Sequence, residues 1–278
     1  MVGLETLTAG TIRFRGSDIA TLKGDARRRY QRGVQYMFQD SAAAMDPRMR
    51  VGPILREPLL LQREGTARER NQRVLSLLDE VGLPRSAVDR YPHEFSGGQR
   101  QRIGLARALA LTPELIIADE PVSALDVSIQ AQVLNLMQDL QQRHGLTLIV
   151  ISHDLSVIRF LADSIAVMYL GKVVEEGPAE TVHLRPLHPY TRGLIDTVPV
   201  PDPKIERARR GAGVSGELAS AMNPPSGCRF RTRCVRATEI CAEVEPVLES
   251  PGRAAAGQPA QPGGHRVACH HPLESGSL

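Results

Sequence analysis

Four consecutive apolar residues, Leu115-Ile116-Ile117-Ala118, run directly into two carboxylates, Asp119-Glu120. A short unbroken apolar run with polar residues beyond it suits a strand buried on both faces, the habit of strands in parallel sheets. Helical patterns flank it. Ser96 is a good N-cap for a helix through Ile103, Ala106 and Leu109 to Leu111, with Pro113 beyond. Ser128 to Arg143 reads as a second helix ended by His144-Gly145, and Leu146 to Ile151 as a second buried strand. Strands alternating with helices indicate an α/β fold with a parallel sheet and right-handed crossovers. Such sheets bind ligands at their carboxyl edge, and Asp119-Glu120 are delivered there.

Upstream, Thr11 to Arg15 alternates as a strand does, and Gln35 to Phe38 reads as another strand ending at Gln39-Asp40. From Ser41 to about Pro113 the pattern is mainly helical. Val74, Leu77, Leu78 and Val81 form one apolar stripe, stopped by Gly82 and Pro84. Downstream, Leu155 to Ala162 is helical. Ile165 to Tyr169 and Val173 to Glu175 form a hairpin across Leu170-Gly171-Lys172. After Pro199 the content of Pro, Gly and Arg rises and periodicity fades. Gly252 to Gly264 reads as a flexible loop. These features divide the chain into residues 1–197, with an inserted helical part at about 41–113, and residues 198–278.

A formal net charge of +3 over 278 residues is too small to imply a nucleic-acid partner, and the absence of tryptophan removes one base-stacking platform. The runs Arg27 to Arg29 and Arg207 to Arg210 read as solvated faces. No stretch of about 18 apolar residues offers a membrane span. The N-terminus lacks the basic-then-apolar pattern of a signal peptide. The expected location is the cytosol, with any membrane association made through a partner.

Several residues carry chemistry. Asp119 suits a Mg²⁺ partner and Glu120 a general base that polarises water. Ser96-Gly97-Gly98-Gln99 opens a helix. Its free N–H groups and positive dipole end make an anion site, and the two glycines let backbone come close to a ligand. His153 follows the strand from Leu146 and is expected at the same edge as Glu120, where its imidazole can orient water or contact a phosphate. Gln39, at another strand end, can reach Mg²⁺ and water. Read one at a time, each has a bland alternative: an acidic turn, an ordinary Ser cap, a solvated histidine, a surface amide.

Taken together, they resemble the ABC-transporter ATPase family. Tyr91-Pro-His-Glu-Phe-Ser-Gly-Gly-Gln-Arg-Gln-Arg102 is similar to its signature motif, with Phe95 replacing the commoner leucine. Leu115 to Glu120 is similar to Walker B, Ser123 to Asp126 to the D-loop, His153 to the switch histidine and Gln39 to the Q-loop. The resemblance implies a P-loop NTPase-like fold, ATP and Mg²⁺ as ligands, and a second ATPase subunit facing the first head to tail. ATP would lie between one subunit's phosphate loop and the other's signature. The three lysines are Lys23, Lys172 and Lys204, and none stands in a Gly-Lys-Ser/Thr phosphate loop. The family pattern implies that this loop, and the aromatic that stacks on adenine, precede Met1. A non-catalytic subunit that lends only its signature face to a partner is the alternative.

The last part of the chain narrows the family. His188-Pro-Tyr-Thr-Arg192, Pro224 to Phe230, Arg233-Cys234 and His265 to His270 resemble the tail of oligopeptide, dipeptide and nickel importer ATPases. That implies two transmembrane permease subunits, an extracytoplasmic substrate-binding protein acting through them, and a position on the inner face of the cell membrane. Cys228, Cys234, Cys241 and Cys269 match in number the thiolates of a 4Fe–4S cluster, and the pattern resembles that of relatives that carry one. Their spacing is wider than the usual zinc pairs. A cytosolic site argues against disulfides. Zinc and unliganded thiols stay open as alternatives.

Overall fold

The computed structural model describes residues 2–41, 43–198, 216–217, 219–250 and 264–274. The run Arg207 to Arg210 and residues 252–263 of the expected flexible loop lie outside them. The chain forms two compact units, 1–153 and 154–278.

In the first unit, Arg13–Phe14 (β1) pairs antiparallel with Ser17–Asp18 (β2). Arg15 and Gly16, both at positive φ, fill a two-residue turn whose twist suits a hairpin. The strand expected over Thr11 to Arg15 is reduced to Arg13–Phe14, with Arg15 taken into the turn. Helix α1, Gly24–Gly33, leads into β3, Val34–Met37. Strand β3 pairs in parallel with β4, Leu115–Asp119, and β4 with β5, Thr147–Ile151, in the order β3-β4-β5. Tyr36 lies opposite Ile117, and Ile117 opposite Ile149.

Strand β4 has a neighbour on each side, and its first four residues are buried as the apolar run implies. Strand β5 departs from expectation. It is half-buried, with Thr147 and Ile151 exposed. It is an edge strand of this sheet, and an apolar run cannot distinguish an edge from a centre.

Helices α2 (Val51–Leu61), α3 (Ala67–Glu80) and α4 (Gly97–Leu109) occupy the region read as helical. Thr66 and Glu69 cap α3 reciprocally, and Val74, Leu77 and Leu78 form its buried stripe. Ile103, Leu105, Ala106 and Leu109 bury the inner face of α4. Helix α5, Val127–His144, ends at Gly145 in the left-handed conformation (φ 62°), as a glycine past a helix end should.

In the second unit, helix α6 (Leu155–Leu161) precedes the expected hairpin, β6 (Ser164–Tyr169) and β7 (Lys172–Pro178), with Leu170-Gly171 at its turn. Helices α7 (Ala179–Leu184) and α8 (Pro189–Asp196) follow, then α9 (Ile240–Glu243). Strand β8, Arg266–Val267, adds antiparallel to β7. Phe230 joins Val167, Tyr169, Val174 and Val182 in one core. The cysteine-bearing segment thus packs on the hairpin, and the compact units part after His153, upstream of the change in sequence texture near residue 197.

The His188-Pro-Tyr-Thr motif has a packing role here. His188 Nδ1 accepts the Tyr190 N–H at 3.0 Å and caps α8. Tyr190 packs against Tyr169 and Phe230. The fully buried Glu175 accepts the backbone N–H groups of Leu187 and His188, and lies 2.7 Å from His265 Nε2.

Candidate functional site

Where β4 ends, the backbone turns sharply. Glu120 takes φ 43°, a left-handed conformation that a non-glycine residue adopts at a cost of order 1–3 kcal/mol. The surrounding bonds hold it there. Its N–H donates to Ile151 O at 2.9 Å, and its carbonyl accepts from Ser123 Oγ at 3.3 Å. The side chain is gripped from two sides. Gln39 Nε2 donates to Oε2 at 2.8 Å, and His153 Nδ1 lies 2.9 Å from Oε1. An ionised carboxylate only accepts, so the His153 proton at this contact sits on Nδ1. That hydrogen bond is the main reason the Glu120 carboxyl lies below its usual range; partial burial opposes it, and Ser123 and Gln39 reinforce it. Glu120 is therefore an anion at neutral pH. His153, expected at the same sheet edge as Glu120, meets it there, and Gln39, expected at a strand end, joins them.

Asp119 has a partner that the sequence reading missed. Tyr36 Oη donates to Asp119 Oδ2 at 2.6 Å. That bond, with burial and the charge of Asp119 behind it, pushes the Tyr36 hydroxyl up to about 12. The register places Tyr36 on the same sheet face as Ile117 and Asp119, which alternation alone does not reveal.

Ser96 caps α4 as expected. Its Oγ accepts the Gln99 N–H at 3.4 Å, and Gln99 Oε1 accepts the Ser96 N–H at 3.0 Å. The glycines serve packing. A Cβ on Gly98 would overlap Ile129 Cγ2 of α5, and one on Gly97 would lie 3.2 Å from Leu125. Their missing side chains let the first turn of α4 approach the loop around Asp126 and the start of α5. Asp126 is the N-cap residue of α5 by position and makes no side-chain capping bond. Among the described residues, no hydrogen bond joins Ser96–Gln99 to Gln39, Glu120 or His153.

The four cysteines share one neighbourhood. Cys228 N–H donates to Cys241 O at 2.8 Å. Burial pushes up the thiols of Cys228, Cys234 and Cys269, the last to about 11, and each also feels neighbouring thiols. Proximity alone does not make a metal site. Among the described residues no group of three or more His, Cys, Asp or Glu side chains is placed to hold a metal ion. The 4Fe–4S expectation finds no support among these residues. Gly227 (φ 61°) lies against Cys241 O, and Cys228 and Cys234 pack against the core that holds Phe230.

No helix among the described residues is long and apolar enough to cross a membrane. A family model for the ABC transporter matches residues 1–123, and one for the oligopeptide/dipeptide transporter C-terminal region matches residues 174–241. A putative peptide import ATP-binding protein of Brucella ovis is 53% identical over 241 residues, 87% of this chain and 75% of the relative. The oligopeptide transport ATP-binding protein OppF of Salmonella typhimurium is 50% identical over 250 residues, 90% of this chain and 75% of the relative. Among solved structures, the dimeric post-hydrolysis state of the ATP-binding cassette MJ0796 bound to ADP and Pi is 29% identical, with a TM-score of 0.56. The match covers 63% of this chain and 76% of that one.

Proposed function

The chain belongs to the ABC transporter ATPases, in their oligopeptide/dipeptide importer branch, and from that premise we propose that Glu120 is the base with which it hydrolyses ATP to drive peptide uptake. The observation that carries this reading is the convergence of Gln39 and His153 on the two oxygens of one ionised carboxylate at the end of a parallel strand.

Each residue has a definable task. Glu120 accepts a proton from water as the water oxygen bonds to the γ-phosphorus and the bond to the β-phosphate oxygen breaks, leaving ADP and phosphate. Gln39 and His153 hold the carboxylate in one orientation, and positioning supplies much of the catalysis in phosphoryl transfer. Asp119 and Gln39 present the oxygen donors that Mg²⁺ prefers, and the ion accompanying ATP would neutralise charge on the phosphates. His153 is well exposed, with 72% of its side chain accessible.

The catalytic part comprises residues 1–197, and residues 198–278 form the importer-type tail. Two such subunits pair head to tail, and the N–H groups at the start of α4, around Ser96 to Gln99 and near Asp126, close on the partner's ATP. The dimeric state of MJ0796 supports this arrangement. The subunit sits on the cytoplasmic face of the membrane against two permease subunits, served by an extracytoplasmic peptide-binding protein.

Peptide uptake by cells that depend on this importer tests the reading. Cells carrying Glu120→Gln, with the protein made at normal levels, should lose uptake. Undiminished uptake would refute it.

A further inference from the structure

We infer that Tyr36 is a positioning residue for the metal side of the site: its hydroxyl fixes the Asp119 carboxylate by Oδ2 and leaves Oδ1 as the oxygen offered to the metal. This rests on the reading of Asp119 given above.

The sheet register makes the contact possible. Tyr36 lies opposite Ile117, and Asp119 stands two residues further along β4 on the same face. A tyrosine is long enough to reach this diagonal neighbour. Gln35 and Met37 alternate to the other face, so within β3 Tyr36 is suited to the task and its immediate neighbours are not.

The ring is itself held. It packs against the apolar cluster of Tyr30, Val34, Leu115 and Ile117, and meets Phe38 edge to face at 4.7 Å. A donor on a fixed ring, 2.6 Å from a carboxylate oxygen, makes a short charge-assisted hydrogen bond. Its chemistry also matters. A lysine or arginine in this place would bring a positive charge that opposes a cation. A phenol orients the carboxylate and leaves its negative charge in place. Among the described residues Asp119 Oδ1 accepts no hydrogen bond. Groups that orient a metal-binding carboxylate in this way typically affect metal affinity by roughly 10- to 100-fold.

The test compares the intact ATPase with its Tyr36→Phe and Phe38→Leu variants. Mn²⁺ binding is measured by electron paramagnetic resonance in the presence of a non-hydrolysable ATP analogue, and analogue binding is measured separately in EDTA. Tyr36→Phe should weaken Mn²⁺ binding by roughly 10-fold, with metal-free nucleotide affinity unchanged. Phe38→Leu, which keeps the hydroxyl and loses only one contact of the ring, should weaken Mn²⁺ binding less than Tyr36→Phe does. Unchanged or tighter Mn²⁺ binding in Tyr36→Phe would overturn the inference, as would an equal loss of metal-free nucleotide binding. A wild-type protein with no metal-dependent nucleotide binding would instead overturn the parent reading, and this inference with it.

Discussion

Glu120 and His188 show how placement decides what an ionisable side chain does. Glu120 stands at a sheet edge with partners on both oxygens and stays charged. His188 is buried, and burial pushes its imidazole down to about 4, against the opposing charge of Glu175. Its Nδ1 accepts the Tyr190 N–H, so the proton of the neutral ring is on Nε2, which has no partner. The unfolded chain binds this proton near pH 6.5 and the folded one only near 4. Stability is therefore full above 6.5 and falls as pH drops through that window, by on the order of 3 kcal/mol. His188→Asn keeps a side-chain acceptor for the cap and removes the titration. Its melting temperature should fall less than that of the wild type between pH 7 and pH 5; an equal fall would count against this account.

Individual site residues were legible because strand ends are. Gln39, Glu120 and His153 each follow a recognisable strand, and parallel strands deliver their ends to one edge. Tyr36 was not legible, because its role depends on register and on the reach of a hydroxyl, neither of which alternation alone supplies. The cysteines showed the same limit: their number suggested a cluster, and number says nothing of how the thiols are placed.

At the scale of elements, the two glycines of the signature turn are the main revision. Motif reasoning assigned them to ligand approach, and the fold adds close packing of α4 on α5. Alanine is the better helix former by about 1 kcal/mol, so on propensity alone Gly98→Ala would stabilise α4. Overlap with Ile129, whose β-branched side chain is stiff in a helix, should reverse the sign. We expect a net loss of about 1–3 kcal/mol in chemical denaturation, recovered in part by adding Ile129→Ala. A Gly98→Ala protein as stable as the wild type would show that the contact yields freely. Strand β5 teaches a related lesson, since its apolar run correctly indicated a strand and overstated its burial.

At the scale of the whole molecule, the proposal is a head-to-tail pair in which Glu120 of one subunit and Ser96 to Gln99 of the other serve the same ATP. The central claim is that Glu120 is the working base. The most direct measurement compares ATP binding and ATP hydrolysis by Glu120→Gln and wild type, each assembled with the importer's other subunits. The account predicts that binding is retained and hydrolysis falls by at least about 100-fold, the usual contribution of a general base. Hydrolysis at the wild-type rate would contradict it, and would leave this chain only the Ser96–Gln99 face to contribute.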